Sequence, residues 1–294
     1  MHIFVTGATG FVGSAVVREL LDAGHSVVGL ARSDAGVAAL ASAGAAVQRG
    51  TLEDLDILGS TAAAADGVIH TAFIHNFNDF ATSVVADRRA IEALGAALEG
   101  SGRPLIVTSG MAGLAVGRAA TEDDVPDESF PRVSEKVGLS FVERGVRAMA
   151  MRLPPSVHGK GDHGFVPQLI SVARERGVSA YVGAGENRWA SVHRPDAARL
   201  YRLALEKGEA GTRLHAIGDE GVPARVIAEV IGRHLGVPVV SIPAERAAEH
   251  FGWIGAFFAI DIPGSSTITE QRFGWKAQGL GLIEDLEQGH YFDR

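Results

Sequence analysis

Three glycines near the start of the chain follow a short apolar run and are spaced three residues apart. The run is Ile3–Val5, and Gly7, Gly10 and Gly13 lie in the segment Thr6–Gly13. Between a strand and a helix, this G-x-x-G-x-x-G spacing allows a tight turn, close approach of backbone to a pyrophosphate, and close helix–strand packing. The helix start would also offer unpaired N–H groups to phosphate oxygens. A chance cluster among 37 glycines is the alternative, and the strand–turn–helix context favours a dinucleotide site.

The end of the second apolar run bears on which dinucleotide binds. An NAD site usually has Asp or Glu at this point to hold the ribose 2′-hydroxyl. This chain instead has Arg32 and Ser33, and its first carboxylate there is Asp34. A guanidinium forms charge-assisted hydrogen bonds with a 2′-phosphate, and a serine hydroxyl adds a donor. The pattern therefore favours NADP over NAD, with a solvated surface arginine as the alternative interpretation.

Histidines are suited to acid–base chemistry near neutral pH, and some of them follow predicted strands. His75 comes after the fourth strand together with Asn76 and Asn78, and His158 and His163 flank a glycine-rich loop after the sixth. Most of the 11 histidines should be structural or at the surface, and we retain His75 and His158 as catalytic candidates. Their spacing does not match a metal-binding pattern, and hydride transfer needs no metal, so we predict no metal site.

Alternating strand and helix patterns must position these residues. Short apolar runs separated by helical segments indicate parallel strands with right-handed crossovers. We therefore predict an α/β fold, with a doubly wound Rossmann sheet in residues 1–155. Residues 156–294 should be mainly a smaller substrate-binding part, with a stretch near 190–220 returning to the Rossmann domain. The predicted strands are 3–5, 26–30, 45–48, 67–70, 105–107, 148–153 and 214–217, and the predicted helices are 11–21, 35–43, 60–65, 83–98, 134–144, 165–176, 196–206 and 223–235.

The composition limits the classes of partner. Lys and Arg number 27 against 35 Asp and Glu, a net charge of −8, and this argues against nucleic acid because phosphate binding needs clustered positive charge. Cysteine is absent, which excludes disulfides, thiolate catalysis and cysteine-bound metals. We see no signal peptide, and the apolar segment 253–262 is too short to span a bilayer. We expect a cytoplasmic monomer or homodimer with a small-molecule substrate, no membrane partner, and the acidic run 122–128 on its solvated surface.

Four segments together resemble the extended or atypical short-chain dehydrogenase/reductase superfamily, in its epimerase/dehydratase-like branch. The glycine motif matches the fingerprint, and Asp66–Ala72 is similar to the D-x-V-x-H-x-A segment. Arg152–Gly159 resembles R-x-x-x-V-Y-G, and Ser191–Asp196 resembles the V-H-V-x-D that begins a later helix. The resemblance extends from residue 1 to about residue 220, and it implies a Rossmann fold with NAD(P)-dependent chemistry.

The resemblance also implies where a cofactor would be held, along the glycine turn and the carboxyl ends of the strands. The cofactor-binding residues that we predict are Gly7, Thr9, Gly10, Phe11, Val12, Gly13, Arg32, Ser33, Leu52, Thr71, Ala72, Phe73, Lys136, Leu153, Pro155 and Ser156.

The catalytic part of the family pattern is altered in this chain. The family uses Tyr-x-x-x-Lys with an upstream Ser or Thr; the tyrosine hydroxyl transfers a proton, and the lysine lowers its pKa and holds the nicotinamide ribose. Lys136 stands at the lysine position, whereas Arg132 stands at the tyrosine position. The upstream hydroxyl position falls at Gly110, with Ser109 one residue before it. The catalytic candidates are therefore Lys136, Ser109, Arg132, His75 and His158.

Three interpretations of this alteration remain open. The proton could come from a water held by Lys136 or Ser109, or from a histidine. Arg132 could act as a charged hydrogen-bond donor that stabilises an alkoxide, since arginine rarely releases its proton. The chain could also be a non-catalytic NADP-binding sensor or scaffold, or an epimerase/dehydratase-type enzyme. The leading hypothesis is an NADP-dependent reductase of a carbonyl or C=N group in a mostly apolar molecule, and Trp253, Phe257 and Phe258 either line its pocket or pack in the core.

Overall fold

A seven-stranded parallel sheet forms the centre of the molecule. A computed structural model describes residues 1–76, 79–127 and 131–293, so the predicted pocket residue Asn78 lies outside the described part. In chain order the strands are β1 (His2–Thr6), β2 (Ser26–Ala31), β3 (Ala46–Arg49), β4 (Gly67–His70), β5 (Pro104–Gly110), β6 (Arg147–Leu153), β7 (Ser156–His158), β8 (Ser179–Val182), β9 (Arg188–His193), β10 (Arg213–His215), β11 (Asp219–Pro223) and β12 (Val239–Ile242). The central sheet has the order β10-β6-β5-β4-β1-β2-β3, which confirms the predicted doubly wound α/β fold.

Helices cover both faces of this sheet. In chain order they are α1 (Phe11–Asp22), α2 (Asp34–Ala43), α3 (Leu55–Ala64), α4 (Phe80–Ala97), α5 (Ser134–Leu139), α6 (Phe165–Arg176), α7 (Arg194–Lys207), α8 (Ala224–Leu235), α9 (Ala247–Phe251), α10 (Ile254–Phe258), α11 (Thr267–Phe273) and α12 (Leu282–Glu287). Successive side chains of β1 point to opposite faces. Ile3 and Val5 therefore pack with α1 and α7, whereas Phe4 packs with α3 and α4. No helix among the described residues combines the length and the apolar character needed to cross a membrane.

Helix α5 is shorter than the sequence pattern predicts. The expected helix 134–144 ends at Leu139, and residues beyond it form turns in which Val142 N–H bonds the Leu139 carbonyl. Gly145, with φ +73°, then leads into β6. Helix α3, by contrast, begins at Leu55 and not at Ser60. Apolar spacing locates such helices, and the turn chemistry at their ends decides their length.

The second half of the chain builds smaller layers and also contributes to the central sheet. Strands β7, β9 and β11 form a three-stranded sheet, and β8 and β12 pair in parallel. Helices α6, α8, α9, α10 and α12 share an apolar cluster around Trp189. Strand β10 leaves this region and pairs with β6, so that Leu214 lies opposite Met151 at the edge of the central sheet.

Candidate active site

The glycine motif forms a turn in which two of its glycines have no room for a side chain. Gly7 has φ +66°, and a Cβ there would lie 2.6 Å from the backbone nitrogen of Ala72. A Cβ on Gly13 would lie 2.0 Å from the carbonyl oxygen of Gly7. Glycine is therefore required for β1, the turn and α1 to approach this closely.

The outer side of the same turn is open. Thr9 and Gly10 are exposed, and α1 begins directly after Gly10 at Phe11. The first N–H groups of a helix, here those of Phe11, Val12 and Gly13, have no partner within the helix. These groups and the positive end of α1 suit phosphate oxygens.

The adenosine end of the predicted cofactor site lies after β2. Arg32 is exposed, and its guanidinium forms neither a hydrogen bond nor an ion pair with the described part of the chain. Ser33 caps α2 by accepting a backbone hydrogen bond of 3.2 Å, and Asp34 binds Arg49 at 2.6 Å. The Arg32 guanidinium is thus available to bind an anionic group of a ligand. Leu52 is mostly buried in the core, which leaves it little surface for a cofactor contact.

The segment after β4 brings three predicted residues beside the glycine turn. Thr71 Oγ1 donates a 2.8 Å hydrogen bond to the carbonyl of Thr6, the last residue of β1. Ala72 and Phe73 follow, both partly buried. The Phe73 ring lies edge-on to His75, with 5.3 Å between the ring centres. The carboxyl ends of β1 and β4 therefore form one continuous wall.

A buried chain of polar groups connects this wall to Arg132. Thr6 Oγ1 lies 2.7 Å from His70 Nδ1, and His70 Nε2 lies 3.2 Å from one oxygen of Asp87. Ser134 donates to the other Asp87 oxygen at 2.6 Å, and Arg132 Nε donates to Ser134 Oγ at 3.0 Å. Burial opposes ionisation of Asp87, but the hydrogen bonds with His70 and Ser134 and the Arg132 charge hold its pKa below the usual value. An anchored carboxylate thus fixes the Arg132 side chain.

Arg132 lies at the carboxyl edge of the sheet. Its Nη2 donates a 3.0 Å hydrogen bond to the Thr108 carbonyl, and its guanidinium carbon lies 4.2 Å from the Phe73 ring centre. Nη1 has no hydrogen-bond partner among the described residues. Burial lowers the pKa of Arg132 while Asp87 opposes that shift, and an arginine remains protonated at neutral pH. The group can stabilise negative charge, but it is a poor proton donor.

Ser109 and Lys136 differ in their surroundings. Ser109 is 6% exposed, and its hydroxyl forms no hydrogen bond within the described chain. The neighbouring Thr108 hydroxyl is occupied, because it lies 2.7 Å from the His70 carbonyl and 2.6 Å from the Tyr201 hydroxyl. Lys136 is exposed on α5. Ser109 is therefore the available hydroxyl at the end of β5.

His75 and Arg132 both contact the Phe73 ring. The His75 side chain is exposed, yet the surrounding protein removes enough water to lower its pKa, and the nearby charge of Arg132 lowers it further. A neutral imidazole at this point can accept or relay a proton. His163 contributes a weaker effect of the same sign.

The segment after β6 holds four of the predicted site residues. Leu153 and Pro155 are partly buried at the sheet edge, and the hydroxyl of Ser156 is enclosed with no partner among the described residues. His158 was predicted to be catalytic, but it is fully buried and its Nδ1 lies 2.9 Å from Asp285. Its ring has no exposed surface, and a catalytic role for His158 stays a prediction.

A second buried network lies behind the site. Arg152 donates to both oxygens of Glu135 at 2.7 Å, and Arg213 donates to the same carboxylate at 2.6 Å. Burial opposes ionisation of Glu135, but the bonds from these arginines lower its pKa.

The expectation of a wholly solvated acidic run at 122–128 is wrong, because Glu122 is buried and accepts hydrogen bonds of 2.6 and 2.7 Å from Thr269. Glu128 lies outside the described residues.

The residues present fit a dinucleotide. The glycine turn provides open helix N–H groups, Arg32 offers an unpaired cation at the far end, and Ser156 has an orphaned hydroxyl near the sheet edge. Within the described ranges, no three His, Asp or Glu side chains lie close enough to hold a metal ion.

The sequence analysis did not predict a role for Asp87. The pattern that could have indicated it is a single carboxylate on the apolar face of α4.

Comparison with known proteins agrees with this geometry. Residues 3–93 match the model of the NAD dependent epimerase/dehydratase family. A Schizosaccharomyces pombe protein named Uncharacterized protein C2A9.02 is 52% identical over 295 residues, covering 99% of this chain and 100% of its own. A Stigmatella aurantiaca protein named 4-hydroxy-2-methyl-3-oxo-4-farnesyl-3,4-dihydroquinoline-1-oxide ketoreductase is 27% identical, covering 86% and 80%. The crystal structure of DesIV, a dTDP-glucose 4,6-dehydratase from Streptomyces venezuelae with NAD and TYD bound, superposes with a TM-score of 0.79 at 19% identity, covering 99% and 97%.

The fold is that of a nucleotide-binding Rossmann protein of the extended short-chain dehydrogenase/reductase type. The chain belongs to the NAD dependent epimerase/dehydratase family, whose members are NAD(P)-dependent oxidoreductases.

Proposed function

We propose that the protein is an NADP-dependent reductase of a carbonyl group, or the related C=N bond, in a mostly apolar small molecule. The observation that carries the proposal is the position of Arg132. Its guanidinium is fixed at the carboxyl end of β5, with Nη2 on the Thr108 carbonyl and with Phe73 beneath it. Ligands of doubly wound folds bind at this edge of the sheet. A fixed cation there suits a substrate oxygen that gains negative charge.

The surroundings of Arg132 suggest a role for each neighbouring group. Bound NADPH would supply a hydride to the substrate carbon. Arg132 and the Ser109 hydroxyl donate hydrogen bonds to the substrate oxygen and stabilise the alkoxide. His75 supplies the proton, directly or through water, and Lys136 holds the nicotinamide ribose. The Asp87–Ser134 pair keeps Arg132 oriented and charged.

Three observations support NADP and an apolar substrate. The carboxylate nearest to Arg32 in sequence, Asp34, is engaged by Arg49, so Asp34 would not compete with a 2′-phosphate for Arg32. Phe165, Trp189 and Phe257 pack together, with 4.6 Å between the rings of Phe165 and Phe257. Trp253 extends the group toward solvent and is 43% exposed. The 27% identical relative is named for the reduction of a ketone that carries a farnesyl chain.

The test is NADPH oxidation across a panel of apolar ketones and imines, followed by absorbance, with NADH in parallel. We expect turnover with NADPH for at least one substrate, and binding about 10- to 100-fold tighter for NADP than for NAD in low salt. Tight cofactor binding without turnover of any substrate would favour the sensor or scaffold function. Equal affinity for NAD and NADP would overturn the cofactor assignment alone.

Lys136→Ala distinguishes a catalytic function from a sensor function more clearly than the substrate panel does. An enzyme whose lysine orients the nicotinamide ribose should lose most of its rate, whereas a sensor loses only some affinity. Lys207→Ala, at the distant end of α7, is the matched control and should change neither quantity.

A further inference from the structure

Arg194 and Phe11 are each the first residue of a helix, and they lie against one another. The Arg194 guanidinium carbon is 4.6 Å from the centre of the Phe11 ring. Helix α7 lies beside α1 and runs in the same direction, because Arg202 contacts Glu19 and Glu206 contacts His25 further along the pair. Two helix N-termini therefore lie side by side at the edge that carries the glycine turn.

The charges at this point are not balanced by the protein. The start of each helix carries roughly half a positive charge. The first turn of α1 has no acidic residue, and Asp196 of α7 is bound by Arg199 at 2.6 Å and by two backbone N–H groups. The Arg194 side chain makes neither a hydrogen bond nor an ion pair with the described residues, and its Nε is enclosed without a partner. A guanidinium held against two positive helix ends favours the binding of an anion at this point.

A histidine ring also contacts Phe11. The His163 ring meets the Phe11 ring edge-on, with 5.8 Å between the centres. Phe11 thus contacts both the Arg194 guanidinium and the His163 imidazole, directly at the first free N–H group of α1. The glycine turn supplies backbone donors and the neutral Thr9 hydroxyl, whereas Arg194 adds a full charge with several N–H groups.

We propose that Arg194 binds the dinucleotide pyrophosphate and that the Phe11 ring holds its guanidinium in place. The inference rests on the proposed function only in that the ligand is a dinucleotide; it does not depend on catalysis. The same chemistry would suit a phosphate or carboxylate group of the substrate, and the choice of ligands below separates these sources.

The experiment measures the binding of three compounds by calorimetry to the wild-type chain, Arg194→Met and Arg32→Asp. The compounds are NADPH, ADP-ribose, which has the pyrophosphate but no 2′-phosphate, and adenosine 2′-monophosphate, which has the 2′-phosphate alone. We expect Arg194→Met to weaken NADPH and ADP-ribose about 10- to 100-fold, the range of a lost charge-assisted hydrogen bond. Adenosine 2′-monophosphate should bind within about twofold of wild type, because it lacks the group that Arg194 recognises. Arg32→Asp should instead weaken NADPH and adenosine 2′-monophosphate, which carry the 2′-phosphate, and should not weaken ADP-ribose, which lacks it.

A second readout excludes a merely structural role. Because Arg194 adds unbalanced positive charge, Arg194→Met without ligand should melt at the same temperature as wild type or higher. Arg194→Lys keeps the charge and should retain more ADP-ribose affinity than Arg194→Met. The surface variant Arg18→Met on α1 should change none of these values.

Unchanged ADP-ribose affinity in Arg194→Met would overturn the proposal and would leave a substrate anion as the group that Arg194 binds. If Arg194→Met does not fold, loss of ADP-ribose affinity in Arg194→Lys with a normal melting temperature would still support a role for the guanidinium fork. No binding of NADPH or NADH by the wild type would instead contradict the proposed function.

Discussion

The Arg132 guanidinium lies over the Phe73 ring at 4.2 Å, which joins the start of α5 to the end of β4 across the edge of the sheet. The aromatic face favours a cation and leaves the guanidinium plane stacked, while Ser134 and the Thr108 carbonyl fix two of its nitrogens. The remaining nitrogen is the group that we expect to meet the substrate. The following predictions depend on this geometry and on its supports.

Arg132→Met should lower kcat by about 100- to 1,000-fold, the usual effect of removing one donor that stabilises an oxyanion. NADPH affinity should change less than threefold, because Arg132 is proposed to meet the substrate and not the cofactor. Steady-state kinetics and calorimetry on one preparation measure both quantities, with Arg246→Met as an exposed control. An unchanged kcat would remove Arg132 from the mechanism.

The rate of reduction should depend on pH through His75. Its pKa lies below the usual value, so the ring is mostly neutral at pH 7 and the protonated donor becomes more abundant as the pH falls. We expect kcat/KM to decrease with rising pH above that pKa, and His75→Gln to flatten this dependence. His2→Gln, at the amino end of β1, should retain the wild-type profile. A pH profile that is the same in His75→Gln would show that the proton comes from another group.

Gly13 and Gly59 allow a matched test of the turn. A Cβ on Gly13 would meet the backbone oxygen of Gly7 at 2.0 Å, whereas on Gly59 in α3 the nearest atom is 4.0 Å away. Gly13→Ala should cost about 1–3 kcal/mol of unfolding free energy and abolish measurable NADPH binding. Gly59→Ala should add about 0.4–1 kcal/mol, because alanine restricts the unfolded chain. Denaturant unfolding measures both, and a neutral Gly13→Ala would contradict the packing described for the turn.

The Glu135–Arg152 pair should make stability dependent on acid. The folded-state pKa of Glu135 lies below its unfolded value, so its contribution is complete above an unfolded pKa of about 4.3 and is lost as the pH falls through the folded pKa. Glu135→Gln leaves Arg152 buried with an uncharged partner, and it should cost about 3–5 kcal/mol at pH 7. Its unfolding free energy should also fall less steeply than that of wild type below pH 4.

The exposed variant Glu53→Gln is the control for this measurement and should follow the wild-type curve. Equal acid slopes for Glu135→Gln and wild type would mean that Glu135 has the same pKa in the folded and unfolded chain. That result would contradict the bidentate pair.

The parts of the fold that sequence alone predicts are those with short-range signals. The glycine turn is one, since Gly7, Gly10 and Gly13 report a local conformation. The alternating strands and helices are another. His75 was also placed correctly after β4, because the carboxyl end of a parallel strand can be located from the pattern of the strand itself.

The missed features depend on partners that are distant in sequence. His158 meets Asp285 across 127 residues, and Glu122 meets Thr269 across 147. A polar residue read alone is assigned to solvent by default, and the burial of a charge becomes visible only with its partner. Arg194 was missed for a related reason, because its neighbour Phe11 lies far away in the sequence, at the start of α1.

Strand β10 ties the second half of the chain to the central sheet. It belongs to the second half of the chain, yet it pairs with β6 and closes one edge of the central sheet. A fragment that stops after residue 155 would lose β10 and also α7, which covers α1. The backbone edge of β6 would then be free to pair with other chains. We therefore expect that residues 1–155 do not fold as an autonomous module and that shortened versions aggregate when expressed on their own.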